Sequence, residues 1–478
     1  MRVVLGTAVV TAAYAVVVAR VAVDGGRYHL LVALAVLWVV TLLVTWWTRR
    51  GRVPGTARGA VVAVVLAAAV AQLPGILEPP RTSTDSYRYV WDGRVQLSGT
   101  SPYRYAPLDD RLARLRDPLL FPGLGPGDRS GYLTEPLPRT KAELLPRAKD
   151  DPRTLINRPR VPTIYPPGAQ AWFAAVAAVT PWSAGTLGVQ VGSALLAVAI
   201  AAALALWRRR RGGNPLDALW WAWSPTALIE AGNGAHVDVV SAAVVVLALG
   251  VFTSRRGRRG TLWLAGLLLG LAASTKLFPL VLAPALAPWR RGRFRDLLPA
   301  PVASVATVVL GYLPHLAVAG ALVLGYLPGY LSEEGGDSRS AVLRLVLPGT
   351  GPWLTIALGL AVVVTGVWAV VHVGRTGDPA LPAVVLFGVF LLGSTPTYPW
   401  YAVPLVVLAV LSHRLEWISV ALAMQLGYAA LGLLGFSTAS YVVALVVVVA
   451  ATVVRARGQR RRASSGSSTA APSTRRTT

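Results

Sequence analysis

Three observations predict that this sequence forms an all-α protein that crosses a membrane many times. Of its 478 residues, 54% are hydrophobic and only 14% are charged, and the mean hydropathy is +0.55. The apolar residues form repeated runs of about 15 to 22, the length that crosses a hydrocarbon core as a helix, so we predict about 14 transmembrane helices. A soluble domain could not bury so much apolar surface. Arginine-rich runs separate or follow these segments, at 49–52, 208–211, 255–259, 290–295 and 455–462.

The arginine runs also orient the chain, because short basic loops stay on the cytoplasmic side of a bilayer. With the N-terminus inside, spans near 3–23 and 29–47 form an N-terminal helix pair within residues 1–58. A third span, near 59–78, then crosses outwards. It delivers a long loop, residues 79–167, to the external face, where we expect the loop to carry short interfacial helices.

The stretch 168–182 is moderately apolar but short, and prolines bracket it. A full crossing there would place the arginines at 208–211 outside, so we predict that the stretch re-enters the membrane or lies at its interface. The remaining predicted spans lie near 185–207, 215–231, 237–254, 260–275, 276–289, 297–318, 352–373, 380–395, 399–413, 416–434 and 438–454. Both termini then face the cytoplasm, and residues 455–478 are expected to form a disordered basic tail.

The formal net charge of +25 does not indicate a nucleic-acid partner. Such a partner requires a basic face with stacking aromatic rings on a folded soluble domain, whereas these arginines lie in turns between apolar segments. The chain has no cysteine, so it can form neither a disulfide nor a thiolate metal site. The partner that the composition does predict is the lipid bilayer.

Polar motifs interrupt the apolar pattern, and the orientation above places all of them on the external side. Ionisable groups at or within a membrane are costly and usually functional, so their convergence predicts one external site. The opposite side holds only arginine-rich turns. The motifs are TDSYRYVWDGRV at 84–95, LINRPRVPTIYPP at 155–167, EAGNGAHVD at 230–238, STKLFP at 274–279 and STPTYPWY at 394–401.

Two motifs carry candidates for binding a phosphate or a sugar. Lys276 is unusual in a chain that almost always uses arginine, and a compact ammonium suits a phosphate; the alternative is a lysine that anchors a helix end. His236 and Asp238 flank a glycine-rich turn, with Glu230 close by in sequence. The alternative there is that Asp238 only caps the next helix. No metal-ligand spacing is defined by these residues.

The two remaining groups of candidates also have structural alternatives. Tyr398, Trp400 and Tyr401 lie among prolines and could stack on a sugar ring or flank a lipid chain; the alternative is an interfacial aromatic belt. The acids and arginines of the first motif could serve catalysis and binding, or could form salt bridges in an interfacial loop. These are Asp85, Arg88, Asp92 and Arg94.

Taken together, the motifs resemble the polyprenyl-phosphate-sugar-dependent glycosyltransferases of the GT-C superfamily. The nearest resemblance is to the actinobacterial mannosyltransferase-like proteins of family 87, and it runs from about residue 60 to residue 450. The resemblance implies a GT-C-type catalytic module over 59–454 in the cytoplasmic membrane. It also implies an active site on the extracytoplasmic side. The chain departs from the simplest family pattern in its two extra N-terminal spans and in a loop insertion around 109–153.

The resemblance implies an inverting transfer of a sugar, with mannose preferred, from a polyprenyl phosphate to a glycan or glycolipid hydroxyl. It implies a catalytic acid in the first external loop, which corresponds to Asp85, with Asp92 as the second choice. No metal or other cofactor is expected, because side chains alone can stabilise a monophosphate leaving group. The candidate donor-binding residues are Arg88, Arg94, Arg158, Tyr165, His236, Asp238, Lys276, Tyr398, Trp400 and Tyr401.

The main alternative function is that of a flippase or transporter for lipid-linked sugars. Transporters place charged sites near the bilayer midplane and often contain internal repeats. Here the charged motifs lie at one face, and the two halves of the sequence show no repeat, so we favour the transferase.

Overall fold

The computed structural model describes most of the chain, and helices dominate it. The described residues are 1–21, 26–51, 56–131, 151–254, 259–291, 293–327, 329, 340–347, 351–395, 397–430 and 436–467, and no strand occurs among them. The α-helices are α1 Arg2–Val16, α2 Arg27–Arg49, α3 Ala57–Leu77, α4 Asp85–Leu97, α5 Pro167–Val179, α6 Leu187–Arg210, α7 Leu219–Ala222, α8 Asp238–Ser254, α9 Arg259–Thr275, α10 Pro299–Ala319, α11 Ala341–Val346, α12 Gly351–Thr376, α13 Ala380–Gly393, α14 Val403–Ser412, α15 Ile418–Ala429 and α16 Phe436–Ser467.

Seven helical segments of the described chain are long and apolar enough to cross a membrane, so this is a multi-pass membrane protein. The count rises to eight if the π-helical turn Thr226–Asn233 and α8, which are bent by 115° at a short break, form one span. The predicted number of about 14 is therefore not confirmed. Helix forms in most of the other predicted spans too, but it is short: α13 has 14 residues and would extend only about 21 Å.

Short and broken helices follow from the prolines and glycines of these segments. A 3₁₀ turn, Phe278–Leu286, replaces the predicted span at 276–289 and has Pro284 in its interior. Another, Pro399–Ala402, precedes α14. Proline removes a backbone donor and clashes with the preceding turn, so it favours a break in a helix, although α3 and α10 continue through Pro74 and Pro314. Such segments are tolerated in a membrane protein where neighbouring helices cover them.

The N-terminal helix pair packs against the rest of the bundle and is not a separate anchor. The phenol of Tyr14 on α1 donates to the carbonyl oxygen of Leu228 at 2.6 Å. The indole N–H of Trp38 on α2 donates to Oε1 of Gln425 on α15 at 2.8 Å. All three side chains that take part are buried. Buried polar groups of this kind are satisfied by specific partners, so they fix the position of the pair.

The two ends of the bundle differ in character. At one end, which we call the arginine end, Asp217 is buried and forms ion pairs with Arg49 and Arg208, at 2.5 and 2.8 Å. The other end, which we call the loop end, carries the described parts of the loop 79–167. Helix α6 has 24 residues and runs between the two ends, so they are separated by about 36 Å.

The loop is folded around an apolar cluster of its own. Trp91 and Val95 of α4 pack there against Leu108, Leu112 and Phe121 of the loop. The guanidinium of Arg116, fully buried, donates to the carbonyl oxygens of Leu108, Asp109 and Asp128 and so ties the loop together. Part of the predicted insertion at 109–153, residues 132–150, lies outside the described residues.

The C-terminal helix extends further than the sequence indicates. Helix α16 continues through Arg455 to Ser467, so the first residues of the predicted disordered tail are helical instead. Alanine and arginine favour helix, and an apolar helix already in place propagates into them at low cost. Residues 468–478 lie outside the described residues.

Candidate active site

Asp85 is the first residue of α4 and lies at the meeting point of three of the polar motifs. Its Oδ1 accepts a hydrogen bond from Nδ2 of Asn157 at 2.5 Å, and its Oδ2 lies 3.7 Å from Nδ1 of His236. The side chain is 13% exposed, whereas that of His236 is fully buried. A carboxylate in the first turn of a helix is favoured by the unpaired N–H groups there.

Asn157 reaches Asp85 because the segment that carries it is tied to the loop. The N–H of Leu155 donates to the carbonyl of Leu120 at 2.9 Å, and the carbonyl of Pro159 accepts from the N–H of Leu108 at 2.9 Å. Arg158, the next residue, has a φ of 48°, a left-handed conformation that turns the chain sharply after Asn157.

His236 sits in the break between the π-helical turn and α8. The amide of Asn233 donates to the carbonyls of Gly75 and Pro79, at 3.0 and 2.9 Å, which holds the turn against the end of α3. Ala235 adopts a left-handed φ of 51°, and the N–H of His236 then donates back to the carbonyl of Glu230 at 3.0 Å. The chain folded in this way points the imidazole into the bundle.

A second buried carboxylate lies on the far side of the imidazole. Glu230 Oε2 is 3.5 Å from Nε2 of His236, and its Oε1 accepts from Nε2 of Gln425 at 2.7 Å. Within the described residues, neither imidazole nitrogen of His236 forms a hydrogen bond. Oε2 of Glu230 forms none either. His236 therefore lies between two carboxylates, Asp85 and Glu230, both slightly beyond hydrogen-bond reach.

Lys276 belongs to the motif at 274–279 and contacts residues of two other motifs. Its Nζ lies 3.3 Å from Oδ2 of Asp238, the first residue of α8, and 4.5 Å from the centre of the Tyr401 ring. Asp238 is buried, while the Lys276 side chain is 16% exposed. The ammonium is thus held by one carboxylate and one aromatic face, and the side chain remains partly exposed.

The aromatic motif forms the wall beside the imidazole. The rings of His236, Trp400 and Tyr398 form a stack, with neighbouring centroids 4.0 and 4.6 Å apart. Tyr401 and Tyr428 meet Trp400 edge-on. All five polar motifs therefore meet at the loop end of the bundle, in one connected set of contacts.

Two family models match the chain. Residues 163–396 match the one described as glycosyltransferase family 87, and residues 2–116 match the N-terminal domain of the Alpha-(1->6)-mannopyranosyltransferase family. The chain is a membrane glycosyltransferase related to family 87. These matches confirm the resemblance drawn from the motifs. No curated protein and no solved structure matches the chain.

In this glycosyltransferase Asp92, the second candidate for the catalytic acid, lies away from His236 and Asn157. Asp92 is buried on α4, where its Oδ1 accepts from Nε of Arg88 at 2.9 Å and its Oδ2 accepts from Gln170 at 3.0 Å. Arg88 also donates to the carbonyls of Arg158 and Val161. The ion pair of Arg88 and Asp92 thus connects α4 to the loop and to α5. The hydrogen bonds of both side chains are made within the protein.

Arg94 and Tyr165 of the transferase also make contacts within the loop end. Arg94 is buried, pairs with Asp117 and donates to the carbonyl of Trp182 at 2.7 Å. Burial lowers the pKa of Arg94 to about 10. The ring of Tyr165 packs edge-on against Tyr89 and Phe173. Helix α4 rises about 13 Å between Asp85 and Arg94, so the structure separates Arg94 from the group around His236.

Three polar residues of the site were not selected from the sequence. Asn157 lies inside a quoted motif but is uncharged, so charge did not single it out. Gln425 is a lone amide within an apolar segment, a signal that could have been used because polar groups inside a membrane need partners. Trp38 carries no such signal, since tryptophan is common in apolar spans.

Proposed function

We propose that this glycosyltransferase moves a mannosyl residue from a polyprenyl phosphate to a hydroxyl of a cell-envelope glycan or glycolipid. The reaction takes place on the external face of the cytoplasmic membrane and inverts the anomeric carbon. The observation that carries the proposal is the position of Asp85, partly exposed and held by Asn157 beside His236. The family matches support sugar transfer, and the match to a mannopyranosyltransferase domain supports mannose.

Asp85 acts as the general base. The acceptor hydroxyl attacks the anomeric carbon opposite the phosphate, so one carbon–oxygen bond forms as the bond to the phosphate oxygen breaks. The phosphate leaves with the electron pair of that bond, and the hydroxyl proton passes to Asp85. A carboxylate within hydrogen-bond reach of the hydroxyl is suited to this transfer. The short contact from Asn157 fixes the carboxylate in one orientation.

Lys276 binds the phosphate of the donor. Its partial exposure and its position over Tyr401 leave part of the ammonium open to an incoming anion. Asp238 holds the ammonium from the other side, and positive charge near the leaving oxygen stabilises the charge that develops there. We propose that side chains alone supply this stabilisation, without a metal or another cofactor.

Tyr398, the partly exposed outer ring of the stack, offers the surface on which the sugar or the first isoprene units lie. Trp400 covers the imidazole of His236, and Tyr398 covers Trp400. Aromatic faces suit both the apolar face of a hexose and an isoprenoid chain. Their position next to Lys276 supports a donor whose phosphate and sugar lie side by side at this wall.

The test is a donor panel. Purified wild-type protein receives radiolabelled mannose, glucose or arabinose on polyprenyl phosphate, together with a lipid and glycan extract as the source of acceptor. We expect label to move from the mannose donor into a new glycan or glycolipid product. A preference for another sugar would correct the donor, and movement of intact donor across vesicles without transfer would support the flippase.

A further inference from the structure

A buried chain of four polar side chains connects the site to the N-terminal helix pair. The indole N–H of Trp38 donates to Gln425 at 2.8 Å, and Gln425 donates to Glu230 at 2.7 Å. Glu230 in turn faces His236 at 3.5 Å. Each of the four is at most 2% exposed. They come from α2, α15, the π-helical turn and the break before α8, so four separate parts of the fold contribute.

The chemistry of the first link fixes the orientation of the second. An indole N–H can only donate, so the oxygen of the Gln425 amide must face Trp38. The NH₂ group of the same amide then faces Glu230, whose Oε1 must accept. If the amide of Gln425 were reversed, two donors would face each other at Trp38. Trp38 therefore determines which group Gln425 presents to Glu230.

The orientation of Glu230 sets the tautomer of His236. With Oε1 occupied by Gln425, the second oxygen of the carboxylate is an acceptor that faces Nε2 of the imidazole. An ionised carboxylate there favours the tautomer with its proton on Nε2, since the group that faces one ring nitrogen decides where the proton lies. Nδ1 then presents a lone pair to Asp85 Oδ2 at 3.7 Å.

Two acceptors that face each other can hold one additional proton between them. The proton that Asp85 takes from the acceptor hydroxyl can pass to Nδ1 of His236, which leaves the carboxylate ionised again. The resulting imidazolium lies between Asp85 and Glu230. No electron transfer and no further reactant is required.

We infer that Glu230 is a positioning residue that keeps the Nδ1 lone pair of His236 directed at Asp85, and that Gln425 and Trp38 hold Glu230 in place. The N-terminal helix pair is thus part of the catalytic apparatus through Trp38. This inference rests on the proposed role of Asp85 as the base.

The first test reads the tautomer directly, without substrate. The protein has five histidines, so ¹⁵N-histidine NMR of wild type minus a His236→Asn variant isolates the His236 signals. We expect the proton on Nε2 in wild type. In Glu230→Gln, the new amide accepts from Gln425 through its oxygen and donates to Nε2 through its NH₂ group, so the proton should move to Nδ1. The same tautomer in both proteins would overturn the inference.

The second test asks whether Trp38 acts on turnover. Trp38→Phe keeps an aromatic ring but removes the N–H, and we expect kcat to fall about tenfold while the donor KM stays unchanged. Trp221→Phe is the matched control, because the buried indole of Trp221 donates to Ala197 at 2.9 Å in another part of the core. Equal kcat values in the two variants would contradict a positioning role.

The two tests separate this inference from the proposed function. If Glu230→Gln moves the proton while Asp85→Asn keeps full activity, the positioning of His236 stands and the proposed base is wrong. If Asp85→Asn is inactive but the tautomer never changes, the proposed base stands and the role of Glu230 is wrong.

Discussion

Asp85 and His236 are remote in sequence, yet the carboxylate of Asp85 lies 3.7 Å from Nδ1 of the imidazole at the loop end of the bundle. The contact joins the first helix of the loop to the break before α8. Asn157 restrains the carboxylate, and the stack with Trp400 restrains the imidazole. The two groups are therefore fixed before any substrate arrives, which is the condition for efficient proton transfer.

Asp92, on the same helix as Asp85, should matter for stability more than for chemistry. Asp92→Asn leaves the buried guanidinium of Arg88 without its carboxylate, and loss of one partner of a buried pair costs about 3 kcal/mol. We expect a lower melting temperature in detergent and near-normal transfer per folded molecule. An inactive variant with an unchanged melting temperature would return the role of base to Asp92.

Lys276→Met should raise the donor KM by about tenfold or more, because a charge-assisted contact to phosphate is lost. Lys276→Arg keeps the charge and should retain most of the affinity. Steady-state kinetics at several donor concentrations measure both.

Removal of Lys276 also leaves Asp238 unpaired, which needs its own control. The double variant Lys276→Met, Asp238→Asn removes both charges. If it recovers the wild-type donor KM, or if Lys276→Met never changes that KM, the lysine only neutralises Asp238 and does not bind phosphate.

The segment that carries Asn157 should lose order in acid. Hydrogen bonds from Arg153, with a further one from Arg160, hold the pKa of Asp151 below its ordinary value of 3.8. Since the folded loop binds this proton more weakly than the unfolded chain, the stabilisation is complete above about pH 4 and is lost as the pH falls further, towards the folded-state pKa.

Hydrogen exchange of residues 154–161 measures this effect, after correction for the intrinsic rate at each pH. We expect constant protection from about pH 8 to about pH 5 and a decline below about pH 4. Asp151→Asn should reduce protection at neutral pH and abolish the step. A step of equal size in that variant would assign it to another carboxyl group.

Sidedness can be measured directly, because the chain has no cysteine of its own. Arg129 is exposed in the loop and Arg209 is exposed at the arginine end. In intact cells, a membrane-impermeant maleimide should label Arg129→Cys but should label Arg209→Cys only after lysis. Labelling of Arg209→Cys alone would invert the proposed orientation.

The sequence predicted that the polar motifs lie close together better than it predicted the number of transmembrane helices. Lys276, His236 and Trp400 were chosen because charged or aromatic residues stand out in apolar surroundings, and the structure brings them together. The span count of about 14 assumed that each apolar run other than 168–182 crosses the membrane. Prolines such as Pro284 break those runs into turns, which hydropathy alone cannot indicate.

The interior partners of the site were beyond the reach of sequence patterns. Gln425 and Trp38 acquire their roles only because α15 and α2 pack beside Glu230, a tertiary relationship that periodicity does not contain. Arg88 shows the converse: its charge suggested a phosphate ligand, but its hydrogen bonds go to Asp92 and to two loop carbonyls.

Transfer by Asp85→Asn protein tests the central claim most directly. Purified wild type, Asp85→Asn and the loop control Asp128→Asn are compared for movement of label from polyprenyl-phosphate mannose into product. Loss of the general base should lower kcat of Asp85→Asn by about 100-fold to 10,000-fold, with folding and donor binding retained. Asp128→Asn should match wild type. A kcat of Asp85→Asn within about threefold of wild type, about 0.7 kcal/mol in barrier height, would contradict the account.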